Sequence, residues 1–244
     1  YGSRGAGGVI LVTTKRGKLG KPVFNYSGNY GTVNPIGRYE PFNGAEYAQY
    51  KLDAGAGNPV NPGTNSYGLS QAEQAGLAKG ISTDWQDLIY KPGYVTDHNL
   101  SASGGTELTK YMFSGGFFQE TGNTPGIDYT RYTLQTAIDQ KVGKRINIGV
   151  SSMNILGDRN ADGNPIGALL RLSPLVEPYN ADGSINLFPL TGLIDAPNVV
   201  NPLTIVDNEN AIANKTRTLR TFNTLYANYS IFDGLKYTIR LNAN

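Results

Sequence analysis

Residues 235–243 read LKYTIRLNA, and their alternation decides the kind of element the chain builds. Leu235, Tyr237, Ile239, Leu241 and Ala243 fall on one face, and Lys236, Thr238, Arg240 and Asn242 on the other. Strict period-two patterning of this kind is that of a β-strand with one apolar and one polar side. The run before it repeats the pattern, with Leu219, Leu225, Ala227, Tyr229 and Ile231 on one side, although Phe222 and Tyr226 stand on the other. Working outward, further strands are expected at about 22–33, 96–104, 109–121, 127–140 and 144–155, which makes about seven. Strands of this length exceed the roughly 5–6 residues usual in globular sheets. They match the roughly 9–11 residues that a tilted strand needs to cross a bilayer.

The connections alternate in length. GGTEL, QKVGK and FDG join strands tightly, whereas the intervening connections are TGNTPG and two excursions at about 34–95 and 156–216. Short turns at one end and long loops at the other are the construction of a membrane barrel. The excursions carry helical signals of their own. NGAEYAQYKLDAGA (43–56) places Ala45, Ala48 and Leu52 on one helical face. SQAEQAGLAKG has Ser70 and Glu73 at capping-box spacing, and NPIGALLRLSPL contains another short helix before Pro174. Long loops with their own secondary structure usually carry function.

Composition narrows the classes. Charged residues make up 16% of the 244, against roughly 25% in an average soluble domain, and the net charge is +2, which is a poor match to nucleic acid. The absence of cysteine excludes disulfides, thiolate metal sites and a cysteine nucleophile. No run approaches the roughly 20 apolar residues of a membrane helix, which leaves a β-barrel open.

The opening YGSRGAGGVILVTTKRGK (1–18) looks like a phosphate loop but is followed by the wrong element. A glycine loop that cradles phosphate runs into a helix whose N–H groups hold the anion. Here Val9–Thr14 is mostly β-branched and reads as a buried strand, and the Gly-Lys-Ser/Thr ending of a P-loop is missing.

Other candidate chemistry is thin. Asp158, Asn160 and Asp162 match the first half of a calcium loop, with Gly163 at the turn, but Leu169 stands where the bidentate Glu belongs. An Asx-rich turn explains them equally well, as it does NADG at 180–183. His98 is the lone histidine and has no partner for a metal. Asp84, Asp87, Glu120 and Glu177 show no spacing that pairs them for acid–base work, so no enzyme and no cofactor is expected. Tyr39, Tyr47, Tyr50, Tyr67, Trp85 and Tyr90 crowd the first excursion, either as ligand or partner contacts or as packing within the loops.

With these features in place, the opening stretch closely resembles the end of the plug domain in the SusC/RagA family of TonB-dependent outer-membrane transporters. The matching positions are Tyr1, Gly2, Ser3, Arg4, Gly5, Ala6, Gly8, Val9 and Ile10. STDWQDLIYKPGYVTDHNLSASGGTELTKYMFSGGFFQETG, YTRYTLQTAIDQKVGKRINIGV and SPLVEPYNADGSI are similar to the family's first barrel segments. The resemblance implies an all-β fold, a transmembrane antiparallel barrel of about 22 strands closed by a plug. This chain would supply about seven strands and the last strand of the plug, with short helices in extracellular loops. Residues 1–20 would end the plug and cross into the wall, and 21–244 would begin the barrel. The chain is expected to be a segment of a longer protein, because it starts inside a plug-like unit and stops inside a strand pattern.

The implied activity is TonB-dependent import of a glycan or oligopeptide across the outer membrane of a Bacteroidetes-type Gram-negative bacterium. The implied partners are a SusD-like lipoprotein lid, TonB, the nutrient and outer-membrane lipid. A surface receptor or adhesin barrel without transport is one alternative, and a soluble carbohydrate-binding β-sandwich is another.

Overall fold

The computed structural model describes residues 8, 15–55, 68–161, 166–190, 199–204 and 214–244. Seven strands form one sheet in the order β1 to β7: β1 (Gly20–Val33), β2 (Gly93–Gly105), β3 (Thr109–Thr121), β4 (Ile127–Val142), β5 (Ile146–Ala161), β6 (Lys215–Phe232) and β7 (Leu235–Ala243). Each pairs antiparallel with its sequence neighbour, a meander with no crossover. Four short helices lie between strands: α1 (Gly44–Gly55), α2 (Gln71–Ala78) and α3 (Trp85–Ile89) before β2, and α4 (Ile166–Leu169) before β6. No second sheet covers this one among the described residues.

The register sorts the side chains into two faces. One cross-strand row runs Tyr26, Leu100, Gly115, Leu134, and a second row, two outward positions further along β4, runs Ile138, Val150, Leu225, Leu241. These apolar side chains stay largely exposed: Tyr26 at 67%, Leu134 at 57% and Leu241 at 61%. An apolar surface this extended is far beyond what a soluble protein leaves open, and it suits a lipid-facing wall. The opposite face is polar, with Asn25, Ser101, Ser114, Gln135 and Thr224 in its rows.

On β5 the outward positions Ile146, Ile148, Val150 and Leu156 are apolar, with Ser152 and Asn154 between them, over about the length that spans a bilayer. Tyr229 and Tyr237 sit at the lower border of this stretch and Phe117 and Tyr132 at its upper one. Such aromatic girdles mark the two interfaces.

Several strands are longer than their alternation indicates, β2 at 93–105 among them. β5 continues to Ala161 rather than ending near 155, and β6 begins at Lys215. Beyond Leu156 the outward positions are Asp158 and Asn160, so the apolar alternation stops where the strand leaves the bilayer while the ladder continues.

The sheet holds almost no core of its own, since only Met112 and Ala137 are buried apolar side chains within it. The packed cores lie in the excursions. Trp85, Ile89, Leu169, Leu172, Val176, Leu190, Val199 and Leu203 form one cluster, and Ala48, Leu69 and Leu175 another. Both clusters mix residues from before β2 and after β5. The two long connections therefore fold together into one unit at the same end of the wall.

Candidate functional site

Two regions carry the features on which function depends: the unit built by the excursions, and the polar face of the wall. In the first, α1 starts at Asn43, whose side chain accepts from the Glu46 N–H (2.9 Å) while Glu46 accepts from the Asn43 N–H (3.0 Å). Gly44 and Ala48 face inward, while Ala45 is exposed and Leu52 half-buried, so only Ala48 of the expected apolar trio is core. The inward face is set by what it meets. A Cβ on Gly44 would lie 2.3 Å from the Ile81 carbonyl, and Leu175 packs beside it.

The capping box of α2 is present as expected. Ser70 accepts from the Glu73 N–H (3.2 Å) and Glu73 accepts from the Ser70 N–H (2.8 Å). Glu73 is fully buried and also faces Lys51 at 3.6 Å, so one carboxylate caps a helix and anchors a cation. Tyr47 packs against this cluster. Burial first, and then the negative charge of Glu73, push its phenol up to about 12.

The segment 173–176 docks the second excursion onto the first. Leu175 and Ser173 are fully buried. The Thr83 N–H donates to the Pro174 carbonyl (2.8 Å), the Thr83 hydroxyl to Val176 (2.8 Å), and the Trp85 indole N–H to Ser173 (3.0 Å). Gly76 makes the approach feasible, because a Cβ there would lie 1.7 Å from the Leu175 carbonyl. Asn201, also fully buried, donates to Pro178 and Asn186 and accepts from the Leu203 N–H, which closes the second excursion on itself.

This packing sorts the predicted loop aromatics. Trp85 is core: of the two roles open to the loop aromatics it takes the packing one, its ring filling the junction between the excursions. Tyr47 is half-buried, and Tyr90 is half-buried under Arg38, which pairs with Asp87. Tyr39 and Tyr50 are exposed. The buried Gln86 clamps the Tyr39 backbone through two hydrogen bonds (3.1 and 2.8 Å), leaving the ring outward. Tyr50 packs against Phe42 at 5.4 Å between ring centroids, and Phe42 is exposed too. Tyr67 lies outside the described residues.

Asp158 and Asn160 sit in β5 rather than in a loop, and both Asp158 oxygens accept from Arg217 (2.7 and 3.2 Å). Asp162 lies outside the described residues, among which no group of three or more His, Asp or Glu converges on a metal position. Residues 180–184 form a tight turn, with Gly183 at φ +85° and Asp182 accepting from the Ser184 N–H and hydroxyl. Those bonds hold the Asp182 carboxyl below its usual range.

His98 faces the apolar side of β2 between Tyr26 and Phe117. Its Nδ1 lies 2.7 Å from the Tyr26 hydroxyl and its Nε2 2.9 Å from the Thr96 hydroxyl. Thr96 directs its own proton to the Asn29 carbonyl, so Nε2–H donates to Thr96 and Nδ1 accepts from Tyr26. The ring is satisfied on both sides, which is a structural role.

Of the opening motif, only Gly8 is among the described residues, at φ +103°. Tyr1, Gly2, Ser3, Arg4, Gly5, Ala6, Val9 and Ile10 lie outside them. Residues 15–18 follow as an irregular segment on the polar face. Arg16 donates to Asp139 (2.5 Å) and lies over the Tyr226 ring at 5.0 Å, and the Tyr226 hydroxyl donates to the same carboxylate. Tyr226, which disturbs the alternation of its strand, is thus held by a specific contact. Gly149 leaves it room, since a Cβ there would lie 2.3 Å from the ring, and Gly17 passes equally close to the Tyr111 backbone. A cleft of about 1190 Å³ lies between this segment and the polar wall, lined by Lys15, Lys18, Asn25, Ser101, Ser114 and Gln135 among others. The polar face thus receives a chain segment across a cleft, anchored at Arg16.

Comparisons with known proteins agree. TonB-dependent receptor P3 of Formosa agariphila is 29% identical over 252 residues, covering 97% of this chain and 22% of that protein. TonB-dependent receptor SusC of Bacteroides thetaiotaomicron is 29% identical over 185 residues, covering 74% of this chain and 17% of SusC. The chain thus spans about a fifth of the length of the curated relatives it matches. The RagAB peptide importer in its closed-closed state superposes with a TM-score of 0.75 over 99% of this chain and 30% of that one, at 18% identity. No protein-family model matches the chain. Sequence relatives and fold together are those of SusC/RagA-like TonB-dependent transporters.

Proposed function

We propose that this SusC/RagA-like chain forms the first part of the wall of a TonB-dependent importer in the outer membrane of a Bacteroidetes-type bacterium. In that reading residues 1–20 close the plug and cross into the wall, 21–244 begin the barrel, and the cargo is a glycan or oligopeptide. The observation that carries it is the two-faced sheet: apolar outward over about one bilayer, polar inward, with a crossing segment seated on the inner face. A binding-only adhesin has no need of a segment held across its interior.

The unit formed by the excursions caps the outer end of the wall, and we assign it the contact with a SusD-like lipoprotein lid. Tyr39, Phe42 and Tyr50 are exposed aromatic anchors on its first excursion. Rigid aromatics on a packed base suit a partner interface. The barrel binds and moves its cargo, with no chemical step assigned to it.

The test is growth and uptake of labelled oligosaccharides and peptides by cells carrying the intact gene, with and without functional TonB. Loss of uptake without TonB is expected. Surface binding that never leads to TonB-dependent entry would overturn transport in favour of the adhesin. For the lid, affinity purification of the full-length protein should retain the lipoprotein, and Y39A/F42A/Y50A should release it.

A further inference from the structure

Three guanidinium groups stand together on the inner face near its outer end. Arg131 on β4 pairs in register with Gly157 on β5, Arg159 is the next inward residue of β5, and Arg220 on β6 pairs with Ile155. Diagonal neighbours in a sheet lie roughly 7–8 Å apart, so Arg131 and Arg159 address one point and Arg220 the next. Gly157 makes room for the Tyr129 ring between them, with the Tyr129 hydroxyl about 3.1 Å from where a Cβ would be. Arg131 rests on the Phe118 ring at 5.0 Å. None of the three makes an ion pair among the described residues, although other arginines of the chain do. Of the nearby inward carboxylates, Glu120 on β3 is the diagonal neighbour of Arg131 and Asp97 stands on β2, while Arg159 and Arg220 lie on the far side of Arg131 from both.

Position argues against a plug contact like that of Arg16. Asp139, which holds Arg16, is eight residues from Arg131 on the same strand, roughly 27 Å along the wall. The arginines lie toward the strand ends that carry the long excursions, the end where, on the transporter reading, a solute from outside meets the wall first. β4, β5 and β6 are paired on both edges, so no strand edge is offered to a peptide backbone. What the wall presents is guanidinium, flanked by the hydroxyls of Tyr129, Thr133 and Thr218. That combination suits a ligand with repeated hydroxyls and spaced oxyanions.

We propose that Arg131, Arg159 and Arg220 form an oxyanion-binding ladder at the outer end of the lumen that selects oligosaccharides bearing carboxylate or sulfate groups. The proposal rests on the transporter reading and names its cargo class. Charge-assisted guanidinium–oxyanion bonds supply the affinity, and the surrounding positive charge steers the anion toward the mouth.

The experiment uses the full-length protein purified with its lid. Calorimetric titrations compare an oligogalacturonate, its neutral methyl ester, a sulfated oligosaccharide of equal length and a polyglutamate peptide. The galacturonate or the sulfated sugar should bind at least about tenfold tighter than the ester, and R131Q, R159Q and R220Q should each weaken it about five- to tenfold. R131K should recover part of the loss, and heat-modifiable mobility on electrophoresis checks that each barrel is folded. Which acidic sugar wins identifies the oxyanion. Equal binding of ester and acid, unchanged affinity in all three variants, or an effect confined to polyglutamate would each overturn the ladder. TonB-dependent uptake of neutral sugars alone sinks the ladder and leaves the importer standing. Absence of any TonB-dependent uptake sinks the importer, while the titrations still judge the ladder.

Discussion

Leu175→Ala tests whether the two excursions are one unit. Leu175 is fully buried, lies against Gly44 and contributes to a cluster with Ala48 and Leu69. Truncating a leucine at such a site costs about 3 kcal/mol, combining lost transfer energy with the cavity left behind. If the docked unit opens locally, its opening constant rises roughly 150-fold, since 1.4 kcal/mol is tenfold. Amide hydrogen exchange on the full-length protein in detergent reads this directly. The Thr83 N–H is the sharpest reporter, because its acceptor is the Pro174 carbonyl of the other excursion. Its exchange should accelerate by about two orders of magnitude, while amides of β3 to β5 in the wall keep their protection. An unchanged Thr83 amide, or equal acceleration throughout the strands, would refute the idea of a separately docked unit.

The wall and its crossing segment give further expectations. Leu134→Arg places a charge on the lipid face and should cost about 2 kcal/mol in urea titrations of folding into vesicles, whereas Gln135→Arg, facing the cleft, should cost little. Arg16→Ala should make the segment at 15–19 about tenfold more sensitive to protease in the full-length protein, because its partner Asp139 is left to Tyr226 alone. Tyr47, pushed up to about 12 from an ordinary 10, favours the folded state fully below pH 10 and loses that contribution as pH rises from 10 to 12. The difference in tyrosinate absorbance between wild type and Y47F should therefore appear only near the upper end of that window.

Period-two patterning was enough to identify the seven strands among the described residues and to place Leu235, Tyr237, Ile239 and Leu241 on one face, because strand side chains alternate whatever surrounds them. Turn spacing likewise fixed which ends are tight, and Ser70 with Glu73 announced α2, since a capping box is complete within four residues. The same reasoning stopped at Asp158, where the apolar signal ends before the strand does.

Contacts between distant segments leave no such trace. Trp85 reads as one more loop aromatic until Ser173 is seen to accept from its indole, and Gly76 as an indifferent helix residue until the Leu175 carbonyl is found against it. Tyr226 looks like a flaw in its strand until Arg16 and Asp139 meet it. Arg131, Arg159 and Arg220 are scattered in the chain and converge only through the register of β4, β5 and β6. Local geometry follows from neighbouring residues, but which side chain fills a core and which charges stand together depend on how remote strands and loops are brought into contact.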